Sequence, residues 1–304
     1  LHFSMGNTTS DIQEGSGTSR FINSLSSILF DANVIRFYQN QFVKIDNNID
    51  IMNGLILNTA IGFEKRILPV NNTNFHFWGN SPHPNYPDES YKEAFPANSA
   101  TTASFNIQYT PFYKYKIREG KKEYQSSDYP TFSLEYKKAI PISEKAEQAS
   151  YDRIKFSINQ SIKLTAFDHL NYNLQAGSYL SKKKLYAPDY KYFATSPMFI
   201  TNHLFDNSFQ LLDNYSFTNS NWLEAHVNLN SEYLLLKRIG FLQTQQFNES
   251  LHLNVLLNNQ FPRTYIETGY SIGINNLGRV GVFAGFDGLK FESVGVKVSL
   301  PLFR

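Results

Sequence analysis

The chain has 304 residues and a mass of 35.0 kDa, and its formal net charge at pH 7 is only +2. Charged residues make up 18% of the sequence, and they are too evenly spread to form the basic face that nucleic-acid binding requires. The absence of cysteine excludes a disulfide framework, a thiolate zinc site and a catalytic thiol.

The aromatic content is high, at 15%, with 19 Tyr and 26 Phe. Rings in this number either fill the core of a soluble domain or cover the lipid-facing wall of a membrane barrel, and composition alone favours neither. No run of about 18 apolar residues occurs, which excludes a transmembrane helix. The mean hydropathy of −0.37 is compatible with a barrel, because barrel strands alternate apolar and polar residues.

Alternation of apolar and polar residues predicts strands along most of the chain, because a period of two gives one apolar and one polar face. Only residues 19–30 have a spacing compatible with a helix. One or two strands are expected around residues 34–45, and the next one covers 55–63. The later alternating segments, in chain order, are 103–109, 132–136, 154–158, 172–176, 222–230, 251–257, 264–274, 279–286 and 293–300.

These segments amount to roughly ten to twelve strands, each close to the ~9–11 residues that a tilted membrane strand needs. The connections include tight turn signals at 275–278 and 287–288 and long polar stretches at 68–100 and 181–221. Short turns alternating with long loops are typical of an outer-membrane barrel with long extracellular loops. A soluble β-sandwich remains the alternative, although its connections are usually more uniform.

The chain opens Leu1-His2-Phe3 and shows no signal peptide, so it is either processed or a fragment. Six motifs then carry a resemblance, in order: Asn53-Gly54-Leu55 with Gly62-Phe63-Glu64, Pro130 to Tyr136, Tyr151 to Ile154, Pro188 to Phe193, Phe209 to Tyr215, and Leu223 to His226. Over residues 36–300 the chain resembles a Bacteroidetes-type outer-membrane family of uncharacterised function. Members of that family carry an N-terminal carboxypeptidase-regulatory-like domain before a C-terminal barrel.

The resemblance implies an all-β fold, an antiparallel transmembrane β-barrel in which residues 1–304 form one domain. It also implies a fragment that lacks the signal peptide, the regulatory-like sandwich and the first strands. The family's barrel is distantly similar to the sixteen-strand barrels of outer-membrane insertases and two-partner translocases. In those barrels, a long loop before the twelfth strand folds into the lumen and carries an Arg-Gly-Phe-type tip.

Counting back five strands from the C-terminus makes 222–230 the twelfth strand, so the preceding loop is the expected in-folding one. Its expected tip contains neither Arg nor Gly, and the ion pair of the family arginine is therefore not carried over. We take the tip as the candidate binding site in the lumen. Its residues are Phe209, Gln210, Leu211, Leu212 and Asp213.

The same loop carries many rings between Tyr186 and Tyr215, and burial stabilises a large side chain by about 1.5–3 kcal/mol. We therefore expect these rings to fill the lumen as a plug, with ligand binding as the alternative. Polar-face residues of the last strands could bind a metal or a proton, but ordinary lumen polarity is the simpler interpretation. These residues are Glu224, His226, Glu232, His252 and Glu267.

The spacing of His76, His83 and Asp88 matches no zinc template, and no phosphate loop, nucleophile elbow or catalytic triad is recognisable. We therefore expect neither an enzyme nor a cofactor. The expected location is the bacterial outer membrane, with membrane lipid and other envelope proteins as partners and no nucleic acid. Three functions stay open: assembly or export of outer-membrane proteins, solute conduction, and ligand binding by a soluble or surface-attached β protein.

Overall fold

The computed structural model describes residues 1–304 except 14–17, 32, 70–76, 78–94, 126, 144–146, 202–204, 241–246, 260–262, 275–277 and 301–304. β-Strands make up most of the described chain, which also contains one α-helix, α1 (Arg20–Phe30), and two single 3-10 turns. None of the described helices is long and apolar enough to cross a bilayer.

Twelve long strands and several short ones are present. In chain order they are β1 (His2–Asp11), β2 (Phe37–Met52), β3 (Leu55–Ile67), β4 (Asn98–Tyr109), β5 (Tyr115–Arg118), β6 (Lys121–Tyr124), β7 (Thr131–Ala139), β8 (Ser150–Lys163), β9 (Asp168–Lys184), β10 (Lys191–Tyr192), β11 (Ile200–Thr201), β12 (Phe217–Thr218), β13 (Trp222–Ser231), β14 (Phe247–Asn258), β15 (Tyr265–Ile274), β16 (Gly278–Asp287) and β17 (Lys290–Ser299).

The twelve long strands form one sheet in which each strand pairs antiparallel with the next long strand along the chain. The order is β1-β2-β3-β4-β7-β8-β9-β13-β14-β15-β16-β17, and the short β11 adds in parallel to the free side of β17. Within the described residues, β1 pairs only with β2, so the sheet has two edges. The architecture is therefore a large antiparallel sheet of thirteen strands.

The register places apolar residues of neighbouring strands opposite one another on one side of the sheet, which we call the apolar face. Met5 pairs with Val43, and Val43 pairs with Phe63; at the other end of the sheet, Val282 pairs with Val296. All five side chains are exposed, Met5 by 70% and Val282 by 49%. This face carries the apolar residues that the alternation predicts, and it is the exposed one.

The opposite side, the polar face, is the buried one in the last five strands. His226, Asn254 and Glu267 occupy consecutive strands in register, and each is at most 3% exposed. The chain between β9 and β13, residues 185–221, covers them; we call it the in-folded segment. The core of the molecule is therefore formed between the polar face and this segment.

Each of the predicted alternating segments from 55 onward lies in a strand, except that β15 begins at Tyr265, one residue after its predicted start, and β17 ends at Ser299, one residue before its predicted end. The window 34–45 falls mainly in β2, whereas β1 lies outside it, at His2–Asp11, and was missed. In β1 polar and small residues outnumber apolar ones, so no clear period of two marks it. The predicted helix is α1, in which the hydroxyl of the N-cap Ser19 accepts the N–H of Ile22.

The connections do not divide into short turns at one end of the strands and long loops at the other. Residues 68–97 and 185–221 do connect strands at the same end of the sheet, as the register requires. The tight turn between Asp287 and Lys290 lies at that end as well. Gly288 adopts a positive φ of 64° there, which permits the two-residue connection.

Candidate functional site

The in-folded segment begins with a 3-10 turn at Ala187–Asp189 and doubles back on itself through the short antiparallel pair β10–β12. Between β10 and β12, its backbone crosses the polar face to β17, with which β11 pairs. Because the segment contributes little regular structure of its own, its position depends on contacts with the wall of strands.

Glu267 of β15 holds the tip of the segment. Its carboxylate accepts the backbone N–H of Gln210 at 2.9 and 3.0 Å and that of Leu211 at 2.8 Å. The side-chain amide of Asn254 donates to the same carboxylate at 3.0 Å. Glu267 is fully buried, so these donors replace the water that a buried carboxylate loses.

Two rings of the segment insert between histidines and aromatic residues of the wall. The ring centroid of Phe209 lies 4.8 Å from that of His226 and 5.9 Å from that of Tyr265. Phe205 lies 5.1 Å from Phe283 and 6.0 Å from His252. Both phenylalanines are at most 1% exposed, so each contributes the packing of a core residue.

Ion pairs attach the beginning of the segment to the polar face. Arg66 of β3 contacts Asp189 at 2.7 Å and Glu64 at 2.9 Å, and its side chain is 2% exposed. Lys191 contacts Glu224 of β13 at 3.0 Å. Buried charges are tolerated when they are paired, so these contacts fix the segment in one register on the wall.

The middle of the segment, at residues 196–201, is attached to the last strand, β17. The ammonium of Lys297 donates to the carbonyls of Ser196, at 2.6 Å, and Met198, at 3.1 Å. The N–H of Val298 donates to the carbonyl of Phe199 at 2.9 Å, which belongs to the parallel pairing of β11 with β17. The segment therefore extends across the polar face from β3 to β17.

A family model described as the C-terminal domain of a family of unknown function, DUF5686, matches residues 1–272. The chain belongs to this family. A search of curated proteins gave no match.

In this DUF5686 domain, four of the five residues predicted for the tip are packed against the polar face of the sheet. Phe209, Gln210 and Leu212 are buried and Leu211 is half-buried, whereas Asp213 is exposed. That these residues bind a ligand stays a prediction. Of the rings of the segment, Tyr186, Phe193, Phe205 and Phe209 are buried, and Phe199 is 57% exposed.

The predicted polar-face residues of the DUF5686 domain are brought together, with one exception. Glu224, His226, His252 and Glu267 are buried on the polar face and hydrogen-bonded to neighbouring strands or to the segment. Glu232 is exposed, because β13 ends at Ser231 and the chain leaves the sheet there.

No group of three metal-binding side chains is present among the residues that the structure describes. His76, His83 and Asp88 lie outside the described residues, so the expectation that they form no zinc site stays a prediction. The histidine rings of the polar face contact carboxamides and hydroxyls: His226 contacts Asn254 at 2.8 Å, and His252 contacts Ser271 at 2.7 Å. These contacts support ordinary packing and hydrogen bonding of both rings.

Arg66, Asp189 and Lys297 are among the residues that hold the segment and were missed. Arg66 and Lys297 occupy polar-face positions of their strands, where a single charge is indistinguishable from ordinary polarity. Asp189 follows Pro188 in a loop, which only indicates a turn. The long-range pairing of Arg66 with Asp189 has no signature in a single sequence.

Proposed function

We propose that this chain forms the membrane-spanning wall of a β-barrel in the outer membrane of a Bacteroidetes-type bacterium. One observation carries the proposal: the sheet exposes its apolar face and, in its last five strands, buries its polar face. In a water-soluble sandwich the two faces have the opposite arrangement. In a barrel surrounded by lipid, apolar residues face outward and polar residues face the interior.

The extent of the apolar face supports the proposal. It runs from Phe3 and Met5 on β1, through Leu223 on β13, to Val294 and Val296 on β17, all of them at least 46% exposed. A water-soluble protein rarely exposes an apolar patch larger than a few hundred Å². Lipid removes the cost of exposing this face, whereas water does not.

We infer further that the in-folded segment closes the interior of the barrel, and that the barrel acts in the assembly or export of envelope proteins. Its ion pairs, its buried rings and the clamp at Glu267 support a closed resting state rather than an open pore. The resemblance to the insertase and translocase barrels supports sixteen strands and the role in biogenesis. The family resemblance also supports the proposal that this chain follows a carboxypeptidase-regulatory-like domain in a longer protein.

A solute-conducting barrel is the second candidate, and a cavity of about 720 Å³ favours it. The cavity lies on the polar face of β2, β3, β4, β7 and β8, away from the tip of the segment. Polar and charged side chains line it, among them Asn40, Lys44, Asn58, Glu135 and Arg153. Such a lining suits water and small polar solutes.

Detergent dependence and electrophoretic mobility test the membrane location. We expect the chain to aggregate without detergent, to enter liposomes, and to migrate differently on gels before and after boiling, as folded barrels do. A monodisperse, folded protein in plain buffer would refute the membrane proposal and favour a soluble ligand-binding protein.

Conductance in planar bilayers and the composition of the outer membrane separate the two membrane functions. For a closed assembly or export factor, we expect low, intermittent conductance and reduced amounts of other outer-membrane proteins in a strain that lacks the gene. A large steady conductance with an unaltered outer-membrane composition would instead support a solute channel.

A further inference from the structure

The short helix α1 has its faces reversed relative to a helix in a water-soluble protein. Asn23 and Ser26 are buried, whereas Phe21, Leu25 and Phe30 are 56%, 46% and 74% exposed. The carboxamide oxygen of Asn23 accepts two backbone N–H groups of the following connection, at 2.8 and 3.0 Å. The polar side of the helix is thus tied to the protein, and its apolar side faces outward.

An apolar groove of about 410 Å³ lies between α1 and residues 198–200, which lead into β11. Its lining is Phe21, Ile22, Leu25, Ser26, Phe30, Met198, Phe199, Ile200 and Leu300. The single polar side chain in this lining, Ser26, has a buried hydroxyl with no hydrogen-bond partner among the described residues. Water would gain few hydrogen bonds in such a groove, whereas a hydrocarbon chain needs none.

We propose that this groove binds one acyl chain of a glycerophospholipid, with the lipid phosphate near Arg20. The inference rests on the proposed membrane location and adds a defined lipid site to it. Two features favour a lipid: the groove continues the apolar face, and the positively charged Arg20 is the first residue of α1, which forms one side of the groove. Val294 and Val296 expose that face on the neighbouring β17, by 63% and 47%.

Arg20 is the only charged residue of α1, and it is exposed. Its Nη2 donates to the carbonyl of Thr9 at 2.5 Å, and its guanidinium lies 5.4 Å from the ring centroid of Phe37. These contacts hold the guanidinium at the first turn of the helix that forms one side of the groove, while other N–H groups remain for a phosphate oxygen.

A protein segment is the competing occupant, but it explains less of the surface. A partner seated in the groove would leave the rest of the apolar face, on twelve strands, uncovered. A bilayer covers that face and the groove with the same hydrocarbon. The structure therefore favours a lipid chain over a polypeptide at this site.

The test uses the full chain in liposomes with phosphatidylglycerol or phosphatidylcholine spin-labelled near the end of the acyl chain. Electron paramagnetic resonance measures the motionally restricted lipid. We expect Leu25→Trp and Ser26→Leu, which fill the groove, to lose one restricted lipid per chain relative to the natural sequence. Leu253→Trp on the apolar face of β14 is the matched control and should retain that lipid.

We expect Arg20→Ala, at an exposed position, to lose the preference for phosphatidylglycerol over phosphatidylcholine. This variant keeps the test decisive if a groove-filling variant misfolds. Equal restricted lipid in the natural chain and the folded Leu25→Trp variant would overturn the proposal, as would an unaltered lipid preference in Arg20→Ala. In both cases the chain still enters the bilayer, whereas failure to enter it would overturn the membrane location itself.

Discussion

Arg66 on β3 and Asp189 in the in-folded segment form a buried ion pair, with Nη1 and Oδ1 2.7 Å apart, although the two residues are 123 positions apart in the sequence. The backbone carbonyl of Asp189 also accepts the hydroxyl of Tyr179, at 2.6 Å. A single residue of the segment is thus attached to two separate strands of the wall. This contact and the hydrogen bonds to Glu267 hold the segment near its beginning and at its tip.

Asp189→Ala should detach the beginning of the segment. Removing one partner of a buried pair costs about 3–5 kcal/mol, and the remaining pair of Arg66 with Glu64 should place the cost at the lower end of that range. We expect faster proteolysis within residues 185–221 and a lower unfolding temperature in detergent. Asp128→Ala, which breaks the exposed pair with Lys114, is the control and should alter neither. Equal protease resistance of the two variants would contradict this role of Asp189.

Glu267→Ala should release the tip, because the N–H groups of Gln210 and Leu211 lose their shared acceptor. Each buried N–H left without a partner costs about 1–3 kcal/mol. In planar bilayers we expect more frequent and longer openings than in the natural chain. Glu292→Ala, at an exposed position on β17, is the control. Unaltered openings in Glu267→Ala would show that the tip does not close the interior.

Phe209→Ala should destabilise the packing of the tip on His226 and Tyr265. Truncation of a buried phenylalanine typically costs about 3–5 kcal/mol, because the cavity closes only partly. The unfolding free energy in urea, measured in detergent, checks the value. Phe112→Ala, at a residue that is 76% exposed, should cost much less. Similar losses in the two variants would place Phe209 outside the core.

Leu253→Arg tests the environment of the apolar face. Leu253 is 41% exposed on β14; an arginine there costs about 2–4 kcal/mol at the midplane of a bilayer but little in water. We expect reduced folding into liposomes. Leu164→Arg, in the connection between β8 and β9, starts from a similarly exposed leucine and should fold normally. Normal folding of both variants would argue against lipid contact at Leu253.

Asp206 should make the stability of the segment depend on pH. Burial raises the pKa of its carboxyl group, and the positive charge of Arg279 opposes the shift. A carboxyl group with a raised pKa in the folded state favours folding while it is protonated. That contribution is lost as the pH rises from the ordinary value through the raised one.

We therefore expect the segment to become more sensitive to protease as the pH rises through this window. Asp206→Asn removes the titrating group, so protease sensitivity should then change little with pH across this window. A profile that stays the same in the Asp206→Asn variant would assign the dependence to another group.

The strands could be predicted from the sequence because alternation is a local property. In 223–230, each apolar residue is followed by a polar one, and the backbone geometry of a strand converts that order into two faces. The aromatic content likewise predicted rings inside the segment, four of which are buried. β1 and the hairpin β5–β6 were missed, because short or mainly polar strands have no clear alternation.

The sequence by itself determined that strands with one apolar and one polar face make up this chain. Only the tertiary structure decided which face is buried, because a period of two is the same whether lipid, water or protein lies against it. Only the fold could pair Arg66 with Asp189, or Glu267 with the backbone at Gln210, since those contacts depend on register across distant strands. Local order thus specified the strands, and long-range register specified the closure of the polar face.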